Sequence, residues 1–224
     1  GDANDRLCLY HIELDSWFSL LQHRSNARIF QEMKLNDVIK EVMQDSNIRT
    51  VENIDYGGLR ETHEPRRYCV QYLESDFDFL SRLMEHEGVY YWFDNAGSND
   101  GKKMMLADNV SVHEKLPVES QLKYVVETTA GEARFNEMEE WWSEQAVQSG
   151  RMDLVDRDFK KIRSKIGYKV DFAAAHDHSD YEVFEYPGGF FDKDVAQRTA
   201  ELRADERIAR SEACWGATHW PDVA

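Results

Sequence analysis

Apolar residues change period several times along this chain, and each change predicts an element. In residues 7–14, Leu7, Leu9, His11 and Glu13 alternate with Cys8, Tyr10, Ile12 and Leu14, the pattern of a strand with one apolar and one mixed face. Asp15 or Ser16 is placed to cap a short helix carrying Trp17, Phe18, Leu20 and Leu21, and residues 28–30 read as a brief extended piece. Leu35, Val38, Ile39, Val42 and Met43 repeat at helical spacing opposite Asn36, Asp37, Lys40 and Glu41, which predicts an amphipathic helix ending near residues 45–47. Residues 54–65 contain Gly57-Gly58 and Pro65 and read as a linker.

The most informative stretch is residues 72–93. Tyr68, Val70 and Tyr72 predict a strand, after which Ser75 caps a helix with Asp78 as its short capping-box partner. Phe79, Leu80, Leu83, Met84 and Glu87 fall near one stripe, and Gly88 is placed for the left-handed position that ends a helix. Val89, Tyr90, Tyr91, Trp92 and Phe93 follow at once as a strand with two apolar faces. One face is expected against the preceding helix, and the other is a candidate contact for a neighbouring subunit. A polar loop at residues 95–101 leads to residues 103–107, the expected return strand of a hairpin.

Further on, Leu122, Tyr124 and Val126 alternate. Residues 135–142 read either as a strand of large hydrophobes or as a short helix. Tyr168, Val170 and Phe172 predict another strand, residues 173–180 a polar loop, and residues 182–186 a strand closed by Pro187-Gly188-Gly189. Val195, Ala196, Thr199, Leu202 and Ile208 lie along a charged helix spanning about residues 192–210, and residues 214–219 return to extended structure. No repeat of solenoid length is present.

Charge narrows the function classes. Forty-three acids against 27 bases give a net charge of −16, a field that opposes phosphate backbones and anionic lipid. Nucleic-acid binding and membrane insertion are therefore not expected. Three widely spaced cysteines, Cys8, Cys69 and Cys214, with no CxxC pair, fit neither a disulfide framework nor a zinc ribbon. Each has an apolar neighbour, so they read as buried thiols rather than nucleophiles. The chain starts Gly1-Asp2-Ala3 and ends Trp220-Pro221-Asp222-Val223-Ala224, and is expected to be a piece of a longer protein.

Candidate chemistry is sparse. His176, Asp177, His178 and Asp180 form the best metal-like cluster, since imidazoles two residues apart point the same way on a strand. On a polar loop the same residues are solvated side chains, and no metal is assigned. Glu85, His86 and Glu87 could serve acid–base work, but adjacent residues fan around a helix and are read as surface. Glu139, Glu140 and Glu144 resemble paired glycosidase carboxylates, with nothing to mark a sugar cleft. There is no GxSxG, HExxH or phosphate-binding glycine loop; Gly57-Gly58 and Gly188-Gly189 read as turn glycines. No catalytic, cofactor-binding or metal residue is expected, and the chain is not read as an enzyme.

Four ordered motifs carry a family resemblance. They are residues 16–21, Ser-Trp-Phe-Ser-Leu-Leu; residues 28–31, Arg-Ile-Phe-Gln; residues 72–93; and residues 184–189, Phe-Glu-Tyr-Pro-Gly-Gly, followed by a helix with Arg198, Ala200, Leu202 and Arg203. Together they resemble the VgrG spike proteins of type VI secretion systems and the related tail-hub proteins of contractile bacteriophages. The match is weakest between residues 128 and 180.

The resemblance implies an α+β fold of phage tail-hub-like small β-barrels with an inserted α+β (helix plus hairpin) subdomain. On that basis residues 1–66 are the end of the first barrel with connecting helices, 67–116 the insert, and 117–224 a truncated second barrel with a C-terminal helix. It further implies a structural, non-enzymatic hub segment of a cell-puncturing spike, made in the bacterial cytoplasm, assembled in the injection machine and secreted. The implied partners are two further copies in a homotrimer, a hexameric tail-tube ring protein, baseplate components and effector cargo. A prophage tail hub and a tail-associated cell-wall hydrolase are the alternatives.

Overall fold

In the computed structural model the chain forms two compact units, residues 1–113 and 114–224. The structure describes residues 10–48, 53–94, 103–113, 123–125, 137–158, 160, 164–172 and 176–218.

In the N-terminal unit, the apolar stripe of α1 (Leu35–Ser46) is buried as its spacing demands: Leu35, Val38, Ile39, Val42 and Met43 all lie in the core. Helix α2 (Asp76–Glu87) adds Phe79, Leu80, Leu83 and Met84 to the same cluster. The α2 boundaries are local and chemical. Ser75 Oγ accepts the backbone N–H of Asp78 at 3.0 Å and donates to Asp78 Oδ2 at 2.6 Å, so Asp78 engages the capping hydroxyl itself. Gly88 closes the helix at φ 70°. A side chain in that left-handed conformation meets the following carbonyl, so Gly88→Ala is expected to cost about 1 kcal/mol, read as a thermal midpoint lower by a few degrees.

β1 (Ser25–Phe30) pairs antiparallel with β3 (Cys69–Ser75) as a two-stranded ribbon. Asn26 faces Glu74 and Ala27 faces Tyr72, which leaves Leu73 as an unpaired bulge residue at φ 51°. The second sheet has the order β2-β5-β4, from β2 (Ile54–Gly58), β4 (Tyr90–Asp94) and β5 (Lys103–Ala107). The expected hairpin is present, with Tyr90 across from Ala107 and Phe93 from Met104.

Three sequence expectations fail in this unit. Residues 54–58 are a strand parallel to β5, not part of a linker; Gly57-Gly58 at its end do sit in a turn, as expected, with the Leu59 N–H bonding the Tyr56 carbonyl at 3.1 Å. A Cβ on Gly58 would stand 2.4 Å from the carbonyl oxygen of Leu106, so glycine is what lets the two backbones come together. Of the strand expected over residues 7–14, residues 7–9 lie outside the described residues and 10–14 form no strand; Tyr10, Ile12 and Leu14 are exposed. Trp17–His23 is a 3-10 helix whose N-cap Ser16 makes no side-chain cap bond.

The two faces of β4 divide as the alternation predicts. Phe93 packs edge-on against Trp17 with ring centroids 5.7 Å apart, and Tyr91 against Phe18 at 5.1 Å. Tyr90 and Trp92 point the other way and are met within the same unit by His113. Its ring lies 4.7 Å from Trp92, and its Nε2 is 2.9 Å from the Tyr90 hydroxyl.

The C-terminal unit has two small sheets. In the order β10-β8-β9, the central strand β8 (Arg151–Arg157) runs antiparallel to β9 (Lys165–Asp171) and parallel to β10 (Glu182–Glu185). Helix α3 (Lys193–Ala209) starts at Asp192, whose Oδ1 accepts the N–H of Val195 at 2.9 Å. The residues α3 buries are Ala196, Ala200 and Ala204, four apart on one stripe, whose small side chains let the helix lie close to Met152, Leu154 and Phe190. After Pro187, the N–H of Gly188 bonds the carbonyl of Val155 and that of Gly189 bonds Asp156 Oδ2, which turns Phe190 inward.

The other sheet has the order β11-β7-β6, from β6 (Lys123–Tyr124), β7 (Glu137–Gln145) and β11 (Glu212–Thr218). The ambiguous residues 135–142 are thus strand from 137 onward. All four sheets hold only two or three strands; the barrel closure expected from the sequence is not seen among the described residues.

Candidate functional site

The densest polar cluster lies where α2 ends, and the sequence reading missed its centre. His63 sits in the coil between β2 and β3 with a side chain only 4% exposed. Its Nδ1 is 3.0 Å from Glu87 Oε2 and its Nε2 is 3.0 Å from Asp108 Oδ2. Both carboxylate oxygens are acceptors, so both ring nitrogens donate and the imidazole is a cation. Asp108 also takes the backbone N–H groups of Arg60 at 2.8 Å and Glu61 at 2.9 Å. Arg66 forks onto Glu87 Oε1 through Nε at 3.1 Å and Nη2 at 2.8 Å, and Nη2 also reaches His86 Nδ1 at 3.0 Å.

Burial alone would raise the Glu87 carboxyl, but the His63 and Arg66 bonds and charges outweigh it and hold it below the usual range. Asp108 is likewise held low: burial opposes ionisation, while the two backbone N–H bonds and His63 favour it. Glu87, read from the sequence as surface, is therefore mostly buried with a side chain 15% exposed, whereas Glu85 is exposed.

A second charge network holds the start of α2. Asp76 is fully buried. Its Oδ1 accepts Arg28 Nη1 at 2.9 Å and Gln71 Nε2 at 2.8 Å, and Arg24 Nε lies 3.4 Å from Oδ2. Asp45, at the end of α1, binds both Arg24 and Arg28, and the Arg28 bond leads the causes that hold its carboxyl low. These two clusters clamp α2 at both ends and hold its partners in place. Neither leaves an open position beside a nucleophile.

The remaining candidates do not converge. His176 Nε2 faces the N–H of Gln148 at 3.3 Å and its Nδ1 that of His178 at 3.1 Å, while His178 stacks on Tyr181 at 5.0 Å. Among the described residues no group of three or more His, Cys, Asp or Glu side chains could hold a metal ion. Glu140 and Glu144 stand exposed on β7, and the side chain of Glu139 lies outside the described residues. Cys69 is buried, and burial pushes its thiol up. Cys214 is exposed, against expectation, on a strand none of whose described side chains is buried; Cys8 lies outside the described residues.

What the molecule does display is apolar surface. On the outer face of the β1/β3 ribbon, Ala27, Ile29 and Tyr72 are exposed and Val70 is half-buried. Arg28, Phe30, Cys69 and Gln71 point inward. In the C-terminal unit Tyr124, Met138 and Trp141 line an apolar groove of about 410 Å³.

Among the described residues, buried charge clamps accompany exposed apolar strands, and the sequence comparisons give this arrangement a family. The chain belongs to the phage tail baseplate hub (GPD) family, which it matches over residues 1–224. It is 32% identical over 212 residues to the type VI secretion system spike protein VgrG1b of Pseudomonas aeruginosa, covering 95% of this chain and 28% of that protein. It is 31% identical over 207 residues to VgrG1c of the same organism, covering 92% and 27% respectively. The chain therefore spans little more than a quarter of the length of these relatives. Among solved structures, the 43 kDa tail protein of prophage MuSo2 from Shewanella oneidensis shares the fold, with a TM-score of 0.51, 10% identity, and coverage of 83% of this chain and 50% of that one.

Proposed function

We propose that this chain is the hub segment of a VgrG-type spike, a structural, non-enzymatic part that joins a tail tube to a needle. The observation that carries the proposal is the match to the tail-hub family along the whole chain, with about a third of residues identical to a secretion spike. In this reading three copies form a ring beneath a hexameric tube-ring protein, alongside baseplate components and effector cargo, and the assembled spike is secreted. Residues 1–66 and 117–224 contribute to two small barrels that are completed in the full-length assembly, and residues 67–116 brace them. Among the described residues no helix is long and apolar enough to cross a membrane.

The outer face of the β1/β3 ribbon suits such a ring, because an uncovered apolar strand face with open edges pairs readily with another chain. In the full-length protein, Ile29→Glu with Tyr72→Glu is expected to convert trimer to monomer by light scattering. In the present chain the same exposed substitutions should shift stability by no more than about 0.5 kcal/mol. A full-length protein that stays trimeric with both substitutions removes this face from the assembly. Turnover of peptidoglycan by the purified chain would replace the structural reading with the hydrolase one.

A further inference from the structure

The sheet of β6, β7 and β11 contributes to neither hydrophobic core: none of its described side chains is buried. Its register puts Trp142 directly across from Trp215, Glu140 from Ala217 and Glu144 from Ala213. Directly opposed residues of an antiparallel pair share a face. Along β7 that face therefore runs carboxylate, indole, carboxylate, with Trp215 as the cross-strand partner of Trp142 and small alanines across from the acids. Trp142 and Trp215 are 51% and 52% exposed. Glu140 and Glu144 make no ion pair among the described residues. Lys123, the cation of β6, stands across from Glu137, beyond Glu140 along β7. The opposite face differs: there Trp141 lies against Gly216, beside Met138.

We propose that the Trp142/Trp215 face docks an extended cationic segment of a partner polypeptide, whose inward side chains run arginine, apolar, arginine. The register follows from the strand rise. At about 3.4 Å per residue, Glu140 and Glu144 lie roughly 13–14 Å apart, the separation of side chains four positions apart on an extended partner. The side chain midway between them lies over Trp142, with Trp215 on the neighbouring strand. Arginine fits better than lysine, because a guanidinium forks onto a carboxylate and also stacks on an indole. Charge excludes the other occupants. A second copy presenting the same face would set Glu140 and Glu144 against their own kind, on two chains of −16 each. Nucleic acid and anionic lipid carry the same sign as the face. The proposal stands whether or not the chain is a spike hub.

The test is fluorescence anisotropy with three labelled peptides on the purified chain. One repeats Arg-Thr-Leu-Thr-Arg, one has glutamate for each arginine, and one moves the arginines to the outward positions. The first is expected to bind saturably. Glu140→Gln with Glu144→Gln should weaken it about tenfold, the loss of two exposed charge pairs, and added salt should weaken it further. Trp142→Ala should weaken it independently of salt. Both glutamates are exposed, so these variants keep their circular dichroism spectrum. Equal binding of the glutamate or shifted peptide overturns the proposal, as do unchanged affinity in the glutamine variant and no binding at millimolar peptide. Concentration-dependent self-association that Trp142→Ala abolishes also overturns it, in favour of a second copy.

Discussion

Replacing His63 with alanine destabilises the N-terminal unit by about 3–5 kcal/mol, the range for removing one partner from a buried ionic cluster. The loss comes less from the missing bonds than from what stays behind. Glu87 and Asp108, mostly buried and each 3.0 Å from the ring, would face each other's charge without the cation between them. Arg66 compensates Glu87 alone, so Asp108 keeps only backbone partners. Native-state thiol labelling reads the effect locally, because Cys69 is buried in the same unit while Cys214 is exposed in the other. With Cys8 and Cys214 replaced by serine, Cys69 should label at least a hundredfold faster in the His63→Ala background. His178→Ala, in the C-terminal unit, should leave its rate unchanged.

The same cluster sets an acid limit. Glu87 and Asp108 both ionise below the ordinary carboxylate range in the folded chain. Their contribution is therefore fully present above about pH 4, the unfolded value, and is lost as pH falls through the lower folded values. Cys69 protection in the parent chain should decline below pH 4, and His63→Ala should remove most of that dependence.

Asp76→Ala has the next largest expected effect, about 3 kcal/mol. Asp76 is fully buried at the first position of α2 and gathers Arg28, Gln71 and Arg24. Asp45 remains to hold both arginines, which places the cost at the low end of the range. A double-mutant cycle with Arg28→Ala should show a coupling of at least 1 kcal/mol between the two positions. Additive losses would mean that Asp76 acts only as a helix-start residue and that the clamp on α2 is not a network.

What could be read from the sequence was local. Ser75, Asp78 and Gly88 fix the ends of α2 within a few residues of one another, so the helix and the hairpin after it were legible. The C-terminal helix was legible too, and of its expected stripe Ala196 is buried and Val195 packs against the core, but Ile208 is exposed and Ala200 and Ala204 complete the buried line, because the sheet beneath leaves room only for small side chains. β2 was illegible because its partner is about fifty residues away, and the Gly57-Gly58 turn at its end hid the strand that runs into it. β8, the centre of the C-terminal unit, does alternate Met152 and Leu154 with charges. Nothing local ranked it above the other short alternations between residues 121 and 171.

The buried clusters were hidden for the same reason. Glu87 and Asp108 lie 24 and 45 residues from His63, and a histidine between Glu61 and Glu64 looks solvated in one dimension. Burial of Cys214 was expected from its apolar neighbour, yet its strand lies in a sheet that buries none of its described side chains. The family resemblance needed no such geometry, since four short motifs in order were enough.

The central claim, that this chain is a spike hub segment, is tested most directly by electron microscopy of the full-length protein assembled with its tube-ring protein. The account predicts three copies of residues 1–224 around one axis, seated against a six-fold tube ring, with the needle continuing on the far side. Full-length protein that stays monomeric and leaves the tube ring unoccupied would contradict it.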